Sequence, residues 1–283
     1  VVIAFLIITQ WAQDITRNVE ATEETHVAEE VIRIESYLDA PLQDIEYLRE
    51  LPAVNAFGLA LLNGDSAIIE TTQKSLEENF LVLSRVNPEY YKIRFLDVTG
   101  LERVRVDYDV VTNTSSIVTD LQNKADRGFF IETLRRPAGD LYISPLDFNR
   151  EGTPPTLELS ADGLPIPMIR YGIPIYVNNT LAGVVVINVF AEPMFNEVQA
   201  SGADGFSYLL NSEGYYLVNR RRPNRTFGFE PDIETIGNEA GANISNSTLF
   251  NAEEGKRIGS VGSGVTSFST ESGQLTHYAR VNV

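Results

Sequence analysis

The chain has 283 residues, a net charge of -17 and no cysteine. Its length suffices for one large domain or two smaller ones, each with a hydrophobic core. The negative charge argues against binding to nucleic acid or to anionic lipid surfaces, and the lack of cysteine excludes thiol catalysis, disulfides and cysteine-based zinc sites. His26 and His277 lie far apart without metal-ligand spacing, so we expect no metal and no cofactor.

The first segment, residues 1–12, is an apolar run from Val1 to Ile8 followed by Trp11. The run is too short to span a bilayer, which requires about 20 apolar residues. Tryptophan is nevertheless typical of the membrane–water interface. We interpret the segment as the end of a transmembrane helix. A buried strand or helix and a signal-peptide core are the alternatives.

Residues 13–87 are predicted to form a helical stalk. Apolar residues recur at a three-four spacing over the first helix, from Gln13 to Leu62, and such a stripe favours pairing with a second copy of the chain. Pro41 either kinks this helix or belongs to the first turn of a second helix capped by Asp39. A further helix is predicted from Ser66 to Ser84.

Residues 88–200 are predicted to form a first α+β domain. The segments Tyr91–Asp97 and Leu101–Asp107 favour a β-hairpin, of which the second strand alternates apolar and charged residues and is expected to be half-buried. A helix is predicted from Leu121 to Leu134, and Gly183–Val189, which is almost entirely apolar, is expected to be a central strand. The remaining predicted elements are strands at Leu141–Ser144, Thr156–Leu159 and Pro167–Tyr171 and a helix at Glu192–Ala200.

Residues 201–283 are predicted to form a second domain. Strands Phe206–Leu210 and Tyr215–Asn219 flank the turn Asn211-x-x-Gly214, which repeats the pattern Asp97-x-x-Gly100 of the first hairpin. Further strands are expected at 258–268 and 275–283, and we expect the protein to continue beyond them. The fold class is therefore α+β, with a long N-terminal stalk helix followed by two domains with antiparallel sheets.

Several motifs together resemble one family, the double Cache sensor domains. They are Arg94–Gly100, Lys124–Phe130, Tyr142–Pro145, Leu146–Asn149 and Ala182–Asn188. Double Cache domains are tandem PAS-like domains of transmembrane receptors, and the details are most similar to those of sensor histidine kinases. The resemblance implies a membrane-distal domain at 88–200 that binds the ligand, and a membrane-proximal domain at 201–283.

The resemblance also implies a set of ligand-binding residues. They are Gln122, Arg127, Phe129, Phe130, Tyr142, Ser144, Asp147, Arg170 and Asn188. Arg127 matches an arginine of the amino-acid-binding members, whereas Asn188 stands where those members carry an aspartate that holds the ligand's ammonium. A neutral asparagine loses a charge-assisted bond of about 1.5–3 kcal/mol. The resemblance therefore implies a small polar or anionic ligand without an ammonium, whose carboxylate Arg127 can clamp.

Each of these residues also has an ordinary structural interpretation. Arg127 can simply pair with Asp126 on a helix surface. Arg170 lies in an apolar strand and requires a partner, either a ligand or Asp147. Asn188 can be a satisfied core amide. Tyr142 can be a core residue, and of two adjacent phenylalanines on a helix at least one should lie in the core.

The favoured function is the extracytoplasmic sensing region of a transmembrane receptor, without catalytic residues of its own. Its expected partners are a small-molecule ligand, the membrane through flanking transmembrane helices, and a second copy through the stalk helix. The alternative is a membrane-anchored solute-binding or adhesion module without a cytoplasmic effector, which would need no second membrane span. A hydrolase is disfavoured because the sequence has no nucleophile elbow, P-loop or convergent carboxylate pair.

Overall fold

The computed structural model describes residues 2–152, 154–200, 208–231, 233–242, 265–269 and 275–279. The chain divides into two compact units. One consists of residues 39–193, and the other of residues 1–38 and 194–283. Residues 39–87 therefore belong to the same unit as the large sheet. The sequence had instead predicted one separate stalk over residues 13–87.

The first helix, α1, spans Val2–Glu50 and contains Pro41 in its interior. The alternative of a second helix capped by Asp39 is therefore wrong. The break comes instead at Leu51, which has extended backbone angles because Pro52 follows it. Among the helices that the structure describes, none is both long enough and apolar enough to cross a membrane, and the interpretation of residues 1–12 stays a prediction.

Two shorter helices follow, α2 at Pro52–Asn63 and α3 at Ser66–Val86. Pro52 begins α2, where its missing N–H costs no hydrogen bond. The Asp65 side chain caps α3 by accepting hydrogen bonds from the first-turn N–H groups. The helix predicted from Ser66 is thus confirmed.

Seven strands form an antiparallel sheet. They are β1 (Tyr90–Asp97), β2 (Glu102–Asp109), β3 (Thr114–Ile117), β4 (Tyr142–Ile143), β5 (Asp147–Phe148), β8 (Pro167–Val177) and β9 (Thr180–Phe190). Their order is β3-β2-β1-β9-β8-β4, and β5 also pairs with β8. The predicted first hairpin and the central position of the apolar strand β9 are confirmed. Two short strands outside this sheet, β6 (Arg150–Glu151) and β7 (Thr156–Leu157), pair with each other.

The predicted helix Leu121–Leu134 is correct only for its second half, because α4 spans Gly128–Leu134. The preceding residues bond to the first hairpin instead. The Lys124 N–H donates to the carbonyl of Gly100 at 2.7 Å, and the Glu102 N–H donates to the carbonyl of Gln122 at 2.9 Å. These tertiary hydrogen bonds replace the i to i-4 bonds that a helix would require.

The large sheet has two chemically different faces. On one face, apolar residues of β1, β8 and β9 lie against the helices, and the rings of Phe57 and Phe95 meet edge to face at 5.0 Å. On the other face α4 packs against β8 and β9, and polar and charged side chains lie beside it. Since successive residues of a strand point to opposite faces, the same strands supply both the core and this polar surface.

In the other unit, the structure describes α5 (Glu192–Ala200), β10 (Tyr208–Leu210), β11 (Tyr216–Asn219), β12 (Val265–Ser269) and β13 (Leu275–Ala279). The hairpin β10–β11 confirms the predicted turn, in which the Gly214 N–H donates to the carbonyl of Asn211 at 3.0 Å, as Gly100 does to Asp97 at 2.9 Å. The predicted strand residues 206–207, 258–264 and 280–283 lie outside the described residues.

Gly183 provides a test of the sheet packing. A Cβ atom there would lie 2.3 Å from the carbonyl oxygen of Leu96, whereas a Cβ at Gly128 meets nothing within 4 Å. We expect Gly183→Ala to lower the free energy of unfolding by about 1–3 kcal/mol through overpacking. Gly128→Ala should change it by less than about 0.5 kcal/mol. Urea unfolding followed by circular dichroism measures both, and equal effects would contradict the described register.

Candidate ligand-binding site

Polar side chains form a row across four neighbouring strands on the face beside α4. Asp107, Lys92, Asn188 and Arg170 are register partners in the order β2-β1-β9-β8. Lys92, Asn188 and Arg170 are buried. Such a row is costly in a sheet interior, because each buried charge requires a partner and each buried amide requires hydrogen bonds. We therefore regard this face as the candidate site.

The carboxylate of Glu151 lies among three buried cations. Its Oε1 accepts hydrogen bonds from Lys92 Nζ at 2.9 Å and from Arg94 Nη2 at 2.6 Å. Its Oε2 accepts one from Lys124 Nζ. Lys92 and Arg94 are 0% and 1% exposed, so a strand of the main sheet holds both cations out of water. Glu151 itself comes from the short strand β6.

The same hairpin supplies a second carboxylate, that of Glu158. Glu158, directly after β7, accepts a hydrogen bond from Lys92 Nζ at 2.8 Å and further ones from the Tyr91 hydroxyl and the Asn149 amide. Burial and this contact raise the pKa of Tyr91, which is thus a neutral donor. The hairpin β6–β7 therefore covers the β1 part of the row with two carboxylates.

The electrostatics of the cluster depend on Glu151. Burial alone would raise the pKa of Glu151, but the charges of Arg94 and Lys92 and the hydrogen bond from Lys124 outweigh it and hold that pKa well below its usual range. Burial lowers the pKa of Lys124, and the bond to Glu151 opposes this effect. Glu151 is consequently ionised at every physiological pH and stabilises the charged form of Lys124.

Like charges also meet within the sheet itself. Arg94 and Arg105 are direct register partners on β1 and β2, an arrangement that is unfavourable without compensation. The buried carboxylate of Glu102 provides it, at 3.3 Å from Arg94 Nε and 3.7 Å from Arg105 Nη1.

At the β8 end of the row, the sequence left open whether Arg170 faces a ligand or pairs with Asp147. Arg170 is buried in the site and it also binds Asp147 through Nη1, while its Nη2 donates to Asn149 Oδ1 at 3.0 Å. Asn188 donates from Nδ2 to the same oxygen at 3.4 Å. Its own Oδ1 is buried and accepts no hydrogen bond from any residue that the structure describes. The Ser144 hydroxyl accepts from the backbone N–H of Arg170.

The two adjacent phenylalanines separate as helix geometry requires. The Phe129 ring lies between the two arginines, 5.8 Å from the guanidinium of Arg94 and 5.7 Å from that of Arg170. Phe130 is a core residue, packed with Leu96 and two valines of β9. Of the pair, only Phe129 lies in the site.

The remaining predicted site residues lie at its edges. Arg127 Nη2 donates to the carbonyl of Gly152 at 2.8 Å, so in this structure it binds the β6–β7 turn. Gln122 Oε1 accepts a hydrogen bond from Lys124 at 2.7 Å. The ring of Tyr142 lies 5.7 Å from the guanidinium of Arg136.

The sequence prediction missed the residues at the centre of the site. They are Lys92, Arg94, Glu102, Arg105, Lys124, Asn149, Glu151 and Glu158. A signal was present, because the charges of Lys92 and Arg94 alternate with apolar residues along a strand next to an almost wholly apolar one. We used such alternation only for the next segment, Leu101–Asp107, which we predicted to be half-buried. The hairpin that buries the charges of β1 comes from about 60 residues further along the chain, a separation of 59 residues for Lys92 and Glu151.

A family model, the bacterial histidine kinase sensor domain, matches residues 65–239, which is more than half of the chain. The chain belongs to this family. The match includes β1, β8, β9 and the hairpin β6–β7, and so the whole polar row of the sensor domain. The predicted resemblance to sensor regions of histidine kinases is confirmed, and the chain is a non-catalytic sensor region.

Solved structures support the same fold. The sensor domain resembles the extracellular domain of vpHK1S-Z8, which is named as a histidine kinase, with 20% identity and a TM-score of 0.67 over 92% of this chain and 90% of that one. A domain of a Vibrio parahaemolyticus protein named as a sensory box/GGDEF family member gives 19% identity and a TM-score of 0.68 over 92% and 94%. The predicted α+β fold class is thus confirmed.

A third similar structure is the ligand-binding domain of the Pseudomonas aeruginosa PAO1 amino acid chemoreceptor PctC in complex with GABA. It shares 15% identity and gives a TM-score of 0.52, over 93% of this chain and 90% of that one. A search of curated protein sequences found no match to the sensor domain.

Lys92 can be tested against a matched lysine. Lys92 binds two carboxylates in the sheet interior, whereas Lys74 binds Glu70 on an exposed helix surface, with 68% of its side chain accessible. We expect Lys92→Met to cost about 3 kcal/mol or more, because it removes one partner of a buried ion pair. Lys74→Met should cost less than about 1 kcal/mol. Chemical denaturation at pH 7 measures the difference, and equal losses would contradict the buried network.

The lowered pKa of Glu151 predicts a pH dependence of stability. Because the pKa is lower in the folded chain than in the unfolded chain, where glutamate titrates near about 4.3, ionised Glu151 stabilises the fold above that pH. This stabilisation is lost as the pH falls further. The free-energy gap between the natural chain and Glu151→Gln should therefore be largest at pH 7 and narrow by about 1.4 kcal/mol per pH unit below about pH 4. A gap that stays constant from pH 7 to pH 3 would contradict it.

Proposed function

We propose that this sensor domain binds a small polar or anionic molecule at the polar row of its large sheet. The observation that carries the proposal is the convergence of Lys92, Arg94 and Arg170 with Asn188 on one sheet face. Buried ion networks contribute little to stability compared with apolar packing of the same volume. Groups of this kind in a sheet interior are more typical of a site that binds a charged ligand.

The chemistry of the row favours an anion. Arginines can bind a carboxylate through two parallel hydrogen bonds, and Phe129 provides an apolar surface between two of them. Asn188 carries no charge, and its buried Oδ1 can accept a hydrogen bond from a neutral donor of the ligand. We infer that an essential ammonium is disfavoured, because the register partners of Asn188 on the two neighbouring strands are the cations Arg170 and Lys92.

We infer that the sensor domain is the extracytoplasmic part of a transmembrane receptor, with 88–200 as its membrane-distal and 201–283 as its membrane-proximal domain. Three exposed apolar residues of α1, Trp11, Ile15 and Val19, recur every four residues and so form one stripe. A second copy pairing through this stripe would explain their exposure. Ligand binding could then bias a cytoplasmic effector by no more than its differential affinity for the two receptor states.

A thermal-shift screen of the whole chain tests ligand binding, with carboxylic acids, sugars, nucleobases, polyamines and amino acids as probes. A carboxylic acid at 100 times its dissociation constant should add about 2.7 kcal/mol of stability. Arg170→Ala should abolish this shift because it removes a buried cation of the row. Arg135→Ala is the matched control, since Arg135 pairs with Glu132 in an exposed position, and it should preserve the shift.

Two results would contradict the proposal in different ways. Tight binding of α-amino acids alone would overturn the inference from Asn188 and leave a ligand site in place. If no probe stabilises a chain that circular dichroism shows to be folded, the proposal of a small-molecule ligand at this row fails.

A further inference from the structure

The contacts of Glu151 have the geometry of a bound carboxylate ligand. Both of its oxygens accept charge-assisted hydrogen bonds, and the three donors are Lys92, Arg94 and Lys124. Two donors are fixed on β1, a strand near the middle of the sheet. The acceptor is not fixed in this way, because β6 pairs only with β7 among the strands that the structure describes.

We propose that the Glu151 carboxylate is an internal occupant of the ligand site, which a carboxylate of the bound ligand displaces while the β6–β7 hairpin is released. This inference rests on the proposed function and adds the ligand class and the way in which binding changes the structure. Any displacing group must be anionic, because removal of Glu151 would otherwise leave three buried cations without their shared partner.

The Glu151 carboxylate lies next to solvent, into which it can be displaced. The Glu151 side chain is already 17% exposed, so the solvent that would receive it is adjacent. The base of the hairpin is anchored separately, since the Asn149 N–H donates to the carbonyl of Ile166 at 2.8 Å and the Glu158 N–H donates to the carbonyl of Asn149 at 2.9 Å. Release of the Glu151 side of the hairpin therefore has to break the hydrogen bond from Arg127 to the carbonyl of Gly152, while the base stays in place.

A second observation indicates what else the ligand carries. Asn188, the register partner of Lys92 on the adjacent strand, has a buried Oδ1 that accepts no hydrogen bond from the described part of the chain. Neighbouring strands lie roughly 5 Å apart. A ligand whose carboxylate replaces that of Glu151 would therefore lie on the same sheet face as this oxygen, which can accept a hydrogen bond from a neutral donor of that ligand. A small hydroxy acid has this chemistry.

The first experiment is chemical rescue of Glu151→Ala in the whole chain. The substitution removes a CH2 group and a carboxylate, which together correspond to acetate. We expect the melting temperature to fall by several degrees and acetate to restore most of the loss in a saturable way. Acetamide, which has the same shape without the charge, should have no effect. Equal responses to acetate and acetamide, or none to either, would overturn the inference.

Glu132→Ala is the matched control. Glu132 also pairs with an arginine, but 42% of its side chain is accessible to solvent. Its melting temperature should change little and should not respond to acetate. A response of the same size in this variant would show that acetate acts on the protein in general, and would overturn the inference as well.

Binding measurements on Glu151→Gln test the ligand class. In the natural chain the Glu151 carboxylate competes with the ligand at an effective concentration of the order of millimolar or above. The Glu151→Gln variant lacks this competing charge and should bind 4-hydroxybutyrate at least about tenfold more tightly than the natural chain does. The matched probe 4-aminobutyrate, with an ammonium in place of the hydroxyl, should bind more weakly. Isothermal titration calorimetry measures both affinities. Unchanged or weaker binding of 4-hydroxybutyrate by the variant overturns the inference but leaves the proposed function standing.

The release of the hairpin can be measured in a chain that keeps Glu151, so this test does not depend on whether the Glu151 variants fold. Because the chain has no cysteine, Thr156→Cys places a single spin label on the exposed side of β7. A label at the exposed Thr112, in the turn after β2, is the control. We expect 4-hydroxybutyrate to increase the mobility of the label at 156 and not at 112. Binding without a change at 156 would overturn the release step.

Discussion

The carboxylate of Glu151 binds Lys92, Arg94 and Lys124, and the polar half of the large sheet depends on this contact. Moving a cation out of water costs several kcal/mol even after the protein relaxes, and three cations meet here in a space of a few ångströms. Lys92 also pairs with Glu158 and Arg94 with Glu102, but the carboxylate of Glu151 is the anion that all three cations share. This need for a shared anion explains why a two-stranded hairpin, rather than solvent, covers the strand β1.

The same constraint separates apolar packing from charged contacts within single strands. Ile93 and Phe95 of β1 face the helices and contribute apolar burial, while Lys92 and Arg94 face the hairpin. Because the side-chain period of a strand is two, a charged network on one face does not interrupt the core on the other. A sensor domain can therefore change its ligand chemistry at alternate positions without rebuilding the packing that holds the sheet together.

Much of the architecture could be predicted from local sequence patterns. The apolar run of β9 indicated a central strand, and the paired turns at Asp97–Gly100 and Asn211–Gly214 indicated two hairpins. Predictions failed where tertiary contacts determine the backbone conformation or the burial of a side chain. Residues 121–127 have helical character in sequence but bond to the first hairpin. The charged alternation of β2 predicted a half-buried strand, whereas its Glu102 is fully buried.

The sequence by itself determined the fold class and the order of the main elements, because these follow from hydrophobic periodicity and turn residues that are local in the chain. The family was predicted from the resemblance of its motifs to those of known sensor domains. The sequence also predicted Arg170, Asn188 and Phe129 as ligand-binding residues, and the structure places all three at the polar row. Only the tertiary structure decided that Glu151 meets Lys92 across 59 residues, and that Phe130 belongs to the core. The physical reason is that strand periodicity tells which side chains share a face, whereas the cover on that face depends on a loop that folds back from a distant part of the chain.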